Sequence, residues 1–93
     1  MIKSFADEPT RRVFARERVP AVGPDLQRAA WKKLAVLHAA GSLHDLRLPP
    51  GNRLEKLAGR RDGQYSIRIN DQWRICFALR GGDAYDVEIA DYH

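Results

Sequence analysis

The feature that most constrains this chain is a change of hydrophobic period near its middle. Before Asn52 the apolar residues recur at helical spacing: Leu26, Ala29, Ala30, Leu34 and Leu37 form one stripe, interrupted by Lys33 and running to a stop at Gly41. After Asn52 the period is two, and Tyr65-Ile67-Ile69, Ile75-Phe77-Leu79 and Tyr85-Val87-Ile89 each mark one face of a strand. A chain with helices in its first half and a strand meander in its second is an α+β domain. Two N-terminal helices are expected to pack on a mostly antiparallel sheet of four or five strands. Ninety-three residues leave room for one such domain, spanning 1–93.

Local signals set the expected boundaries. Met1–Phe5 reads as a short edge strand. Asp7-Glu8-Pro9 reads as a helix start, with a first helix running to Arg16 or Arg18. Asp25 reads as the N-cap of the second helix. Residues 42–51, containing Pro49-Pro50-Gly51, read as a loop. If the apolar residues of the strands share one face, Ile69 opposes Ile75 and Ile67 opposes Phe77 across a turn at Asp71-Gln72-Trp73. Leu79 then opposes Tyr85 across Gly81-Gly82-Asp83. That register assigns Arg68, Asn70, Arg74, Cys76, Ala78, Asp86, Glu88 and Tyr92 to the other, polar face.

Apolar residues make up 44% of the chain and charged residues 30%, the balance of a folded globular protein. No apolar run approaches the roughly 18 residues that cross a bilayer, and MIKSFADEP lacks the apolar stretch of a secretion signal, so a cytoplasmic protein without membrane contact is expected. The single cysteine, Cys76, excludes an intrachain disulfide and a multi-cysteine zinc site. The charge of +4 is unevenly spread. Residues 47–80 hold eight Arg/Lys (Arg47, Arg53, Lys56, Arg60, Arg61, Arg68, Arg74, Arg80) against Glu55, Asp62 and Asp71, a local balance of +5, while the remainder sums to −1. Seven of the eight are arginines, whose planar fork matches phosphate. The pattern fits a polyanion partner, and it also fits a solvated charged face.

Individual residues carry two readings each. Arg74, expected to face Asn70 and to lie diagonally from Glu88 and Tyr92, can clamp a phosphate or form a cross-strand ion pair. Cys76 beside it fits a small filler better than a nucleophile. Asp91-Tyr92-His93 is the densest set of proton-transfer groups, yet the end of a chain usually frays. Strict alternation puts Tyr92 on the Arg74 face and Asp91 and His93 on the other. His38 and His44 suit helix-end and surface roles, Trp31 suits packing, and Trp73, at a turn, suits either packing or base stacking.

Three stretches, Leu48–Leu57 (LPPGNRLEKL), Gly63–Phe77 (GQYSIRINDQWRICF) and Asp83–His93 (DAYDVEIADYH), together with the opening Met-Ile-Lys-Ser-Phe, resemble the HigB group of the RelE toxin superfamily. The resemblance spans nearly the whole chain and is most specific in Trp73-Arg74 combined with the final Asp-Tyr-His. It implies a toxin of a bacterial toxin–antitoxin pair that cleaves messenger RNA on the translating ribosome without a metal or other cofactor. It also implies inhibition by a helix-turn-helix antitoxin, with operator DNA bound only through the toxin–antitoxin complex. Carried onto this sequence, it assigns Arg74 to the phosphate in the transition state and Asp91, Tyr92 and His93 to the active site. His93 or Tyr92 would donate the proton and Asp91 would orient or act as base. Lys56, Arg60, Arg61 and Arg68 would hold messenger or ribosomal RNA backbone. Two departures bear on the base: Glu55 stands where some members have a catalytic histidine, and Ala58 stands where a lysine often precedes the glycine of a Leu-Lys-Gly motif. Glu55 can abstract the ribose 2′-hydroxyl proton only if burial or a neighbouring acid raises its basicity. The same departures leave room for a binding module, a toxin homologue that keeps an antitoxin-binding and DNA-autoregulatory role while its ribonuclease activity is weak or absent. A toxin of the same fold with a protein target such as DNA gyrase fits the final Asp-Tyr-His less well.

Overall fold

Each helix begins where the chemistry of its first turn favours it. The computed structural model describes residues 1–91. Asp7 caps α1 (Glu8–Phe14) by accepting from the Thr10 amide at 2.8 Å, with Pro9 in the first turn where its missing N–H costs nothing. The helix stops earlier than the sequence suggests. Arg16 takes a left-handed φ of 62° and lays its guanidinium over the Trp31 ring, 3.6 Å from the centroid, a contact that contributes roughly 0.5–1 kcal/mol. In α2 (Pro24–Ala39) the N-cap is Gly23 and not Asp25, because Pro24 already occupies the first helical position and Asp25 falls in the first turn. The apolar stripe turns inward: Ala30, Leu34 and Leu37 are buried, with Leu26 and Ala29 partly so.

The segment read as a loop contains a further short helix, α3 (Leu43–Arg47), capped by Ser42 Oγ accepting from the Asp45 amide while the Asp45 carboxylate accepts from the Gly41 amide. It buries Leu46 and leads through a 3₁₀ turn at Pro50–Asn52. Lys33, the interruption in the helical stripe, donates to Asn52 Oδ1 at 2.7 Å, and Asn52 Nδ2 donates to the Leu46 carbonyl. That bond gives a buried asparagine its partner.

The sheet runs in the order β1 (Glu55–Lys56), β2 (Gln64–Arg68), β3 (Trp73–Arg80), β4 (Asp83–Asp91), all antiparallel. The free side of β4 is sealed by the N-terminus, which bridges it in parallel at Ile2–Ala84 and Phe5–Val87, and by Thr10 Oγ1 accepting from the Ile89 amide. These bridges are the expected edge strand, reduced to isolated pairs, and they blunt an edge that would otherwise recruit another chain.

Both hairpin registers differ from the sequence reading. Ile67 pairs with Ile75 and Tyr65 with Phe77, two residues from the expected alignment, so the faces are preserved but Arg74 opposes Arg68 and not Asn70. The cause is Asn70, whose side-chain oxygen accepts from the Gln72 and Trp73 amides and closes a longer turn. In the second hairpin the turn is Gly81-Gly82, both at positive φ, pairing Leu79 with Ala84. A Cβ on Gly82 would lie 2.5 Å from the Gly41 carbonyl oxygen, so only glycine fits. Asp86, at φ 54°, then makes a bulge between the pairs Cys76–Glu88 and Ala78–Tyr85. The bulge moves Tyr85 off the core face, where Ala84 takes its place, and sets its ring beneath Arg80.

Candidate active site

The second face of the sheet is not open. The segment after β1 folds over it, and Leu57, Cys76 and Ala90 make a small apolar cluster separate from the main core of Leu34, Leu37, Leu46, Ile67, Ile75, Phe77 and Val87. Arg61, in a 3₁₀ turn at Gly59–Arg61, reaches Glu88 at 3.0 Å and Gln64 at 3.2 Å. What remains accessible lies at the end of the face where Arg74, Glu55 and the last residues of β4 come near one another in the ladder.

Arg74 and Arg68 are directly opposed cations on neighbouring strands, an arrangement that repels unless both are otherwise engaged. Arg68 turns away to pair with Asp71. Arg74, only 8% exposed, is held from within: its Nε donates to Ser66 Oγ at 2.7 Å, and its Nη2 donates to the Arg53 and Ser66 carbonyls. Nη1 is left facing Glu55, 3.9 Å from Oε1, a separation too long for a hydrogen bond. The guanidinium is thus fixed on two sides and presents its remaining donors toward an exposed carboxylate that an incoming phosphate can displace. Ser66 and the Arg53 carbonyl escaped the sequence reading. Ser66 shares Arg74's strand face by alternation, a signal present in the sequence, whereas Arg53's role depends on its left-handed backbone at φ 43°.

Glu55, the residue that stands where some members have a histidine, lies beside Arg74, but its side chain is 56% exposed and what it meets is a cation, neither the burial nor the acidic neighbour that the sequence reading asked for. Asp91 ends β4 opposite Trp73 and accepts from Gln72 Nε2 at 3.2 Å. It is one residue beyond Ala90, the partner of Arg74, and alternation directs it to the opposite side of the sheet. Tyr92 and His93 lie outside the described residues. Of the four cations assigned to RNA, Arg60 and Lys56 are exposed, Arg61 is tied to Glu88 and Arg68 to Asp71. Lys56, cross-strand from Tyr65, lies on the side of the sheet away from Glu55. Trp31 and Trp73 pack against the core, and His38 Nδ1 accepts from the Ile2 amide at 3.1 Å.

Cys76 is fully buried, and burial pushes its thiol above the usual range, so the thiol form prevails at neutral pH. Iodoacetamide should therefore leave the native protein unmodified for as long as it stays folded, and label it fully in urea. Rapid labelling of the native protein by mass spectrometry would show a reactive thiolate instead.

Comparison with known proteins bears on the family and the fold. Residues 3–93 match the family model of the RelE-like toxin of type II toxin-antitoxin system HigB. Toxin HigB-1 of Vibrio cholerae serotype O1 is 48% identical over 85 residues, covering 90% of each chain. Endoribonuclease HigB of Proteus vulgaris is 33% identical over 96 aligned residues, covering 100% of both. Among solved structures, a chain of the YoeB–YefM complex from Staphylococcus aureus superposes with a TM-score of 0.61 at 19% identity, covering 100% of this chain and 95% of that one, a likeness of fold. With a family model matched from residue 3 to residue 93 and curated relatives aligned over most or all of their length, the chain belongs to the HigB-like toxins, RelE-like toxins of type II toxin–antitoxin systems.

Proposed function

We propose that the chain is an endoribonuclease that cuts messenger RNA on the translating ribosome and is restrained by a helix-turn-helix antitoxin, with operator DNA reached only through that complex. The observation that carries this reading is the preorganised Arg74: a guanidinium fixed by Ser66 and the Arg53 carbonyl, with Nη1 directed at the exposed Glu55. A cation held in place before the substrate arrives stabilises charge that develops on a phosphate without reorganising. That a relative is named an endoribonuclease supports the same chemistry.

The reaction is an internal displacement. The ribose 2′-hydroxyl attacks the adjacent phosphorus as a base removes its proton, the bond to the 5′-oxygen breaks, and a general acid protonates the leaving oxygen. The products are a 2′,3′-cyclic phosphate and a 5′-hydroxyl. No redox partner or metal is needed for the balance. Arg74 neutralises the pentacoordinate phosphate, Glu55 takes the 2′-hydroxyl proton, His93 or Tyr92 supplies the proton to the leaving group, and Asp91 orients the donor or shares the role of base. Entry of a phosphate onto Nη1 displaces the exposed Glu55 carboxylate from beside the guanidinium and leaves it free to meet the 2′-hydroxyl. Lys56, Arg60, Arg61 and Arg68 hold the RNA backbone of message and ribosome. No helix among the described residues is long and apolar enough to cross a membrane, consistent with a cytoplasmic site of action.

Induced expression of the wild-type chain in bacteria should arrest growth and deplete intact messenger RNA, with relief on co-expression of the antitoxin. Glu55→Gln keeps the size of the side chain but cannot accept the proton, and ribosome-bound message should then be cleaved about 10²-fold more slowly. Cleavage by Glu55→Gln at the wild-type rate would transfer the base to Asp91. Unchanged growth and transcripts at confirmed wild-type expression would favour the module that binds an antitoxin without cutting RNA.

A further inference from the structure

A second basic surface lies across β1 from Arg74. Behind the two-residue edge strand is a groove of about 410 Å³ whose walls include Arg47, Arg53, Lys56, Tyr65 and the Pro49-Pro50 corner. Arg47, Arg53 and Lys56 are exposed, and among the described residues none of their side chains makes a hydrogen bond or ion pair. Arg11, Arg12, Arg28, Arg61 and Arg68, by contrast, each have a carboxylate partner. Three cations gathered around one polar groove without an acid repel one another, an arrangement that an anionic ligand relieves. Tyr65 adds a half-buried ring, stacked on Phe77 at 6.3 Å between centroids, as a flat apolar wall within the cationic rim.

The groove is physically joined to the candidate active site by one residue. Arg53 lends its side chain to the groove and its carbonyl to the Arg74 guanidinium, at a left-handed φ of 43° that an arginine adopts only at a cost. Neighbouring residues of β1 divide in the same way, Glu55 toward Arg74 and Lys56 toward Tyr65. A polymer that crosses the short β1 edge therefore meets both surfaces in succession.

We infer that this groove is a binding subsite for single-stranded RNA, holding the strand that flanks the scissile phosphate: Arg47, Arg53 and Lys56 take its phosphates and Tyr65 stacks on a base. The inference rests on the reading that the chain acts on RNA, and it adds where the strand runs on the protein. Arginine forks and an aromatic wall suit a nucleic-acid strand better than an acidic peptide, which has no ring to stack.

The test is the affinity of the full-length chain for a short single-stranded RNA bearing 2′-O-methyl groups throughout, which removes the attacking hydroxyl and leaves Arg74 intact. Fluorescence anisotropy is measured across a salt series. Combining Arg47→Ala with Lys56→Ala should weaken binding at least tenfold and flatten the slope of log affinity against log salt by roughly 1.4, since each single-strand phosphate contact contributes about 0.7. Tyr65→Leu should weaken binding by about tenfold with the slope unchanged, because stacking releases no counterions. If Tyr65→Leu fails to fold, the two exposed cations alone carry the test. Wild-type affinity and slope in the double variant would overturn the subsite, as would competition by polyglutamate as strong as by RNA. A wild-type chain that binds no RNA at low salt would overturn it too. Failure of the parent reading looks different: the chain binds RNA through this groove, yet expression leaves transcripts intact.

Discussion

Replacing Arg74 by alanine should reduce cleavage of ribosome-bound message by about 10²–10³-fold, the loss expected when a preorganised donor to a transition-state charge is removed. The structure adds a consequence for stability. Arg74 is only 8% exposed, and its removal leaves Ser66 Oγ and the Arg53 carbonyl without their guanidinium partner, which costs about 1–3 kcal/mol. Activity must therefore be compared at matched folded protein, and two further variants separate the effects. Arg74→Lys keeps the charge but replaces a fork by a point charge that cannot reach Ser66, the Arg53 carbonyl and a phosphate together, so it should recover activity only in part. Ser66→Ala leaves the guanidinium present but loosely held; its loss should fall between that of wild type and Arg74→Ala. Equal cleavage by wild type and a folded Arg74→Ala protein would remove the residue from the mechanism.

What the sequence disclosed about this site, and what it withheld, follows from the range of the interactions. Period and parity are local, so the switch from helix to meander and the face shared by Arg74, Cys76 and Glu88 were readable, as was the stripe of Ala30, Leu34 and Leu37. Hairpin register depends on turn chemistry: the Asn70 side chain, accepting two amides, lengthened the first turn and exchanged Asn70 for Arg68 as the residue opposite Arg74. The bulge at Asp86 is similarly local but leaves no compositional trace, and it displaced Tyr85 from the core. The short helix at Leu43–Arg47 had a readable cap in Ser42 and Asp45 that the following Pro-Pro-Gly obscured. Neither the covering of the polar face by Leu57 and Arg61 nor the Arg53 carbonyl on Arg74 could be read from strand alternation, because both come from irregular backbone between strands. Glu55 entered as a candidate base through resemblance alone, and its place beside Arg74 comes from the strand ladder: Glu55 opposes Ser66, which lies diagonally from Arg74.

Phe77→Ala should cost about 3–5 kcal/mol of stability, the range for truncating a buried aromatic side chain. Phe77 has no exposed surface, stacks against Tyr65, and sits on β3 between Cys76 and Ala78, the span where the β4 bulge interrupts regular pairing. Neighbouring backbone there is less able to collapse into the vacancy, because β3 is held on both sides, by β2 through Tyr65 and by β4 around the bulge. A domain of this size has on the order of 5–15 kcal/mol in total, so such a loss leaves the fold marginal at growth temperature. The variant should show a lower urea midpoint with little change in the slope of the transition, and loss of toxicity in cells that tracks the loss of soluble protein. Cooling should restore part of the toxicity, since the catalytic groups are untouched. Arg74→Ala would behave oppositely, remaining inactive at temperatures where it is folded. Because β3 carries Phe77 into the core and Arg74 into the site three residues apart, the two variants measure separately how that strand holds the fold and how it holds the charge. A Phe77→Ala protein with a wild-type urea midpoint would show that Tyr65, Val87 and Ile75 repack across the sheet without it, and the rigidity ascribed here to the centre of β3 would have to be abandoned.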